Sequence, residues 1–301
     1  MPTTFSKLIR GAMKSLKPIV VNLSLEMERA GTDFLAKGEN RRLPAGMNVM
    51  RLDVEDIPAE WFLPEGAPHD AAVIYFHGGA YMTGTLMSSR VLAVDFAQAT
   101  GLNTLSFEYR LAPEHPYPAA LEDAYKIYLA AVEWGVPPEG MVFAGDSAGG
   151  GLLCALALLL RDKGLALPGG MVMLSPWVDL TMSGESHTLY EDIDPLLTRA
   201  KLERAVEYYT GHRDLKNPYI SPVFGDFKGF PPALIHVGTN ELLLSESQAL
   251  CEAMRACGVS VTLEEWEGMW HVWHVFDIPE TREAMGRIGA FVRGICVNGR
   301  R

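Results

Sequence analysis

Cysteine is scarce in this chain, a long apolar run is missing, and positive charge is outweighed by negative. Each shortage removes a class of function. The 301 residues include four cysteines, Cys154, Cys251, Cys257 and Cys296, with no framework spacing. That excludes a disulfide-stapled secreted scaffold and reads as a protein of a reducing, cytoplasmic compartment. The longest apolar stretch, Leu152–Leu160, is nine residues, against the roughly 20 that a membrane-crossing helix needs. No signal peptide is visible, so Asn22-Leu23-Ser24 reads as a chance glycosylation sequon. With 26 Lys and Arg against 37 Asp and Glu, the net charge is −11, which disfavours nucleic acid as a partner. There is no internal repeat and no low-complexity tract.

What the chain does have is apolar residues, 48% of the total, enough for a substantial core. From Met47 onward, short apolar or β-branched runs alternate with helical stretches. Ala71–Phe76, Thr104–Tyr109, Met141–Ala144, Met171–Leu174, Ala233–Val237 and Val259–Glu265 read as strands, and Ala119–Trp134 and Ala148–Arg161 as helices. In the last stretch Ile288, Phe291, Val292 and Ile295 fall on one helical face. The alternation predicts an α/β fold, a mostly parallel central sheet with helices on both faces.

The most informative segment is Gly145-Asp146-Ser147-Ala148-Gly149. A strand runs into this G-x-S-x-G pentapeptide and a helix leaves it, which predicts a strained turn with the Ser147 hydroxyl standing above the sheet edge. Upstream, the strand Ala71–Phe76 runs into His77-Gly78-Gly79-Ala80. Its glycine amides, with the N–H of Ala148, are donors of the kind a tetrahedral oxyanion requires. A serine also needs a base, and in strand-turn-helix hydrolases the chain order is serine, acid, histidine. His271 and His274 follow the last strand; His271, nearer the strand end, is the favoured base and His274 the reserve. His236 lies inside a strand and reads as a core histidine. Glu241 is the first carboxylate after the strand Ala233–Val237 and is the favoured acid. Glu246 is assigned instead to a helix start, because Ser245 and Gln248 have capping-box spacing. His271 and His274 lack a third metal ligand at sensible spacing, and no metal or organic cofactor is expected.

Together with Tyr109-Arg110-Leu111-Ala112-Pro113-Glu114, Pro118-Ala119-Ala120 and Gly268-Met269-Trp270-His271, these motifs resemble the hormone-sensitive-lipase-like (family IV) microbial carboxylesterases of the α/β-hydrolase fold. The resemblance runs from about residue 70 to the C-terminus. It implies a serine carboxylesterase acting on small, short-acyl esters. Ser147 resembles the nucleophile, His271 the base, Glu241 the acid, and Gly78, Gly79 and Ala148 the oxyanion donors. Two departures stand out: Ala80 occupies the place of a usual third glycine, and Asn240 that of a common aspartate. The bulky Tyr81 and Met82 are candidate substrate-binding residues that limit acyl length. The same triad also serves amidases, lactonases and deacetylases. A ligand-binding receptor on this fold is disfavoured by the complete Ser–Glu–His set.

The resemblance also implies a helical cap. Residues 1–45 supply one segment, and an insertion at about 180–215, within the long Trp177–Ala233 connection, supplies the other. Residues 46–301 then form the catalytic domain. The insertion carries Leu202, Ala205, Val206 and Tyr209 on one helical face. Phe5, Leu8, Ile9, Met13 and Leu16 give the N-terminus an apolar face, flanked by Lys7, Arg10, Lys14 and Lys17, with no acid before Glu26. The cap reading is preferred there to membrane contact. Arg110, Glu114 and Asp123 are assigned to ion pairs that fix their loop. Relatives imply a homodimer through the last sheet edge, Val259–Trp266.

Overall fold

The computed structural model describes residues 1–20, 23–38 and 43–298. Asn22 of the sequon, residues 39–42 of the N-terminal segment and the side chain of Cys296 lie outside the described residues. Two helices, α1 (Thr4–Val20) and α2 (Leu25–Gly38), precede the hairpin β1 (Met47–Val54) and β2 (Ile57–Pro64). Then come β3 (Ala72–Phe76), α3 (Leu86–Thr100), β4 (Asn103–Phe107), α4 (Ala119–Glu133), β5 (Met141–Asp146), α5 (Ala148–Asp162) and β6 (Gly170–Leu174). A long excursion holds α6 (Ser186–Leu189) and α7 (Arg199–Thr210). The chain returns through β7 (Ala233–Gly238), α8 (Leu244–Ala256), β8 (Val261–Trp266) and α9 (Pro279–Asn298). The strands form one eight-stranded sheet in the order β1-β2-β4-β3-β5-β6-β7-β8. The β1–β2 and β2–β4 pairs are antiparallel and every later pair is parallel.

Burial on both faces explains why the central strands read as unbroken apolar runs. Successive side chains alternate between two cores. Ile74, Phe143, Met171, Met173 and Ile235 join the core shared with α4, α5 and α8. Their neighbours Val73, Val142, Val172, Leu174 and Leu234 join the core shared with α3 and α9. In α9, Ile288 and Val292 are buried and Phe291 packs beside them, as the helical spacing predicts. The strand limits differ from the expected ones by one or two residues, since polar residues at strand ends still pair: β5 carries its ladder through Asp146, opposite Leu174.

Two local expectations are corrected. Ser245 does not cap α8, which begins at Leu244 after an uncapped Leu243. Its Oγ sits 2.6 Å from Ser186 Oγ of α6, so the hydroxyl ties the excursion to α8. The apolar face of α1 is also divided. Ile9 and Met13 pack on Met269, Trp270, Trp273 and Ile278, whereas Phe5, Leu8 and Leu16 are exposed. Basic residues make the docking contacts: Arg10 Nη1 donates to the Gly268 carbonyl at 3.1 Å, and Lys17 Nζ to the Glu191 and Asp194 carbonyls at 2.7 Å each. Arg204 of α7 pairs with the buried Glu28 of α2. Arg110 pairs with Asp123, and Arg29 of α2 with Glu114, at 2.8 and 2.7 Å. Among the described residues, no helix is long and apolar enough to cross a membrane, and Cys154, Cys251 and Cys257 are free thiols.

Candidate active site

Because β3, β5, β6, β7 and β8 are parallel, the loops leaving their C-terminal ends converge on one edge of the sheet. Between β5 and α5, Ser147 adopts φ 51° and ψ −122°, a conformation L-residues rarely take. The two flanking glycines make the turn fit. A Cβ on Gly149 would lie 2.0 Å from the Phe76 carbonyl oxygen, and one on Gly145 would lie 2.8 Å from the same atom. Ser147 N–H donates to Leu174 O at 2.9 Å, anchoring the turn to the end of β6.

His271 follows β8 by a short loop, and its Nε2 lies 3.0 Å from Ser147 Oγ. Its Nδ1 lies 3.3 Å from Oε1 of the fully buried Glu241, which follows β7. The other Glu241 oxygen accepts from Gly238 N–H at 2.8 Å and from Ser175 Oγ at 2.9 Å. Ser175 in turn accepts from Val272 N–H at 3.2 Å, so one hydroxyl links the acid to the histidine loop. Both Ser175 and Val272 have φ 47°. Burial alone would lower the His271 pKa; the hydrogen bond and charge of Glu241, then the charges of Asp194 and Asp146, carry it above its ordinary value. Glu246 is elsewhere: it accepts from Val178 N–H at 2.6 Å and meets His187 Nε2 at 3.0 Å. His274 is fully buried, with Nε2 at 3.3 Å from His236 Nδ1. Burial, then its two histidine neighbours, hold it well below the usual histidine range.

The loop after β3 brings its amides to the same edge. Gly79, Ala80 and Tyr81 all have positive φ, at 120°, 54° and 60°. At Gly79 this matters doubly, because a Cβ there would lie 2.1 Å from Thr83 O. Gly78 departs from the expectation: its N–H donates to Asp146 Oδ1 at 2.9 Å and is already spent. Among the described residues, the N–H groups of Gly79, Ala80 and Ala148 donate to no protein acceptor. Tyr75 hydroxyl also donates to Asp146, whose pKa burial raises against the pull of those two hydrogen bonds. Tyr109 stacks on His77 with ring centroids 4.1 Å apart and donates to His77 O at 2.8 Å. Of the two candidate substrate residues, Tyr81 is buried and stacked on Tyr209 of α7 at 3.8 Å. Met82 is fully buried, and its carbonyl accepts from Arg29 Nε at 2.8 Å.

Two residues near this edge carry no sequence signal of their own. Asp146 is the variable position of the pentapeptide, and Ser175 is an ordinary strand-end serine. Only the parallel register of β3, β5 and β6 shows what they hold.

The chain that holds this arrangement is similar to several known proteins. Residues 73–275 match the family described as alpha/beta hydrolase fold. An acetyl-hydrolase of Streptomyces hygroscopicus is 43% identical over 238 residues, 78% of this chain and 79% of that protein. The crystal structure of an esterase from the bacterial hormone-sensitive lipase family superposes with a TM-score of 0.92 at 34% identity, over 98% of this chain and 99% of the other. The crystal structure of the esterase EstE5 soaked with p-nitrophenyl butyrate gives the same TM-score of 0.92 at 34% identity, over 97% and 99%.

Proposed function

The chain belongs to the α/β-hydrolase fold family, among its hormone-sensitive-lipase-like esterases, and from that premise we propose that it hydrolyses short-acyl carboxylic esters through an acyl-enzyme on Ser147. The observation that carries the reading is the placement of one imidazole, 3.0 Å from the Ser147 hydroxyl and 3.3 Å from the Glu241 carboxylate. Ser147 Oγ attacks the ester carbonyl carbon while His271 Nε2 takes its proton. The oxyanion forms against the amides of Gly79, Ala80 and Ala148, with Ala80 taking the part first expected of Gly78. The C–O bond to the alcohol then breaks, and His271 returns the proton to the departing oxygen. Water repeats the sequence on the acyl-serine and releases the acid. Glu241 holds the imidazole tautomer and stabilises the imidazolium without itself taking the proton.

The cap assignment belongs to the same proposal. In it, α1 and α2 of the N-terminal segment and residues about 180–215 close over the sheet edge, held by Arg204 on Glu28 and by Lys17 on the 191–194 loop. Tyr81 packs against Tyr209 of that cap, which supports a closed acyl end. The acetyl-hydrolase relative and the p-nitrophenyl butyrate soaked into EstE5 favour the same short range. Edge strand β8, which among the described residues has no strand on its outer side, is the surface proposed for a homodimer.

Turnover of p-nitrophenyl esters of graded acyl length tests the substrate class. The expected profile peaks between acetyl and hexanoyl. A peak at long chains with a jump above the micellar threshold contradicts it.

A further inference from the structure

We propose that Asp194, carried by the excursion between β6 and β7, is a positioning residue that fixes the loop presenting Glu241 to His271. The proposal rests on the reading of Ser147, His271 and Glu241 given above. Asp194 is fully buried. One carboxylate oxygen accepts from the N–H groups of Leu196 and Leu197 at 2.8 and 2.9 Å. The other reaches out of its own loop and accepts from Leu242 N–H at 3.0 Å. Leu242 immediately follows Glu241. Its carbonyl is also held by the excursion, accepting from the Ser186 hydroxyl. Both peptide groups flanking the acid's neighbour are therefore held by residues that the hydrolase core does not supply.

The anchoring continues outward. The backbone carbonyl of Asp194 accepts from Lys17 Nζ of α1 at 2.7 Å. A path of direct contacts thus joins the N-terminal helix, the excursion and the acid loop. A buried carboxylate is costly unless donors compensate it, and three backbone amides do so here. An asparagine of the same shape could serve Leu196 and Leu197, but its NH₂ would face the Leu242 N–H, donor against donor. Its charge also bears on His271: burial disfavours the imidazolium, and the charges of Glu241, Asp194 and Asp146 favour it.

Asp194→Asn and Ser186→Ala separate the two effects. For Asp194→Asn, kcat is expected to fall about 10–100-fold, well short of the roughly 10⁴-fold that follows loss of a triad's direct orienter. KM should change little, and the acid limb of the kcat/KM profile should move to lower pH, because His271 loses a charge that favours its protonated form. For Ser186→Ala, kcat falls less and the limb stays in place. A lower Tm with wild-type kcat and an unmoved limb in Asp194→Asn overturns the proposal. Should that variant fail to fold, Ser186→Ala decides: reduced kcat at unchanged KM supports the proposal, and wild-type kcat overturns it. Ser147→Ala and His271→Ala serve as the separate control. If either retains turnover, the reading of the site itself fails; if both are dead while Asp194→Asn is normal, only the role of Asp194 falls.

Discussion

A serine hydroxyl is a weak nucleophile at neutral pH, and its surroundings must change that. Around Ser147 the geometry proposed to do so is held by few atoms. Asp146 is the clearest case, because a single carboxylate takes the Tyr75 hydroxyl and the Gly78 amide. That bond occupies the Gly78 amide and leaves the next two amides as the proposed oxyanion donors. Asp146→Ala is therefore expected to lower kcat by about 10²-fold, the scale of losing one oxyanion donor, with KM nearly unchanged. The unpaired Tyr75 hydroxyl should also cost about 1–3 kcal/mol of stability. Steady-state kinetics and a thermal melt check both; wild-type kcat with only a lower Tm would make Asp146 a packing residue.

At the scale of elements, the turns between strands and helices carry the function, and they differ in how legible they are. The elbow at Ser147 was readable because its glycines, its entering strand and its leaving helix are all local. Chain order singled out Glu241 and His271, and the fold brings both within hydrogen-bond reach of each other. Asp146, Ser175 and Asp194 were not readable. Each acts on a backbone amide or hydroxyl far away in sequence, and no short pattern records such a pairing. The division of the α1 face was hidden for a related reason: helical spacing gives an apolar stripe, but not which part of it meets a neighbour. Glu246 does stand in the first turn of α8, as its spacing indicates, and from there it also joins α8 to the excursion through His187. Burial pushes its carboxyl up to about 7, with His187 pulling the other way. A carboxyl that holds its proton more tightly when folded stabilises the fold fully below its unfolded pKa of roughly 4.3. That contribution is lost as pH rises through about 7. The Tm of the native chain should thus decline between about pH 5 and pH 7 relative to Glu246→Gln, whose side chain stays neutral. Parallel Tm curves for the two proteins contradict this.

For the whole molecule, parallel strands gather five loops at one edge, and the two helical segments are the proposed cap over it. The parallel sheet supplies Ser147, Glu241, His271 and the open amides. Lys17 of α1 and Asp194 of the excursion make contacts that lead to the acid loop. Relatives of this fold hydrolyse esters, and the most direct test of the account is whether Ser147 carries the acyl group. A fluorophosphonate probe followed by peptide mass spectrometry should give one adduct per chain, on the peptide containing Ser147. Labelling should vanish in Ser147→Ala and slow sharply in His271→Ala and Glu241→Ala. An adduct on another residue, or turnover that survives Ser147→Ala, would contradict the account.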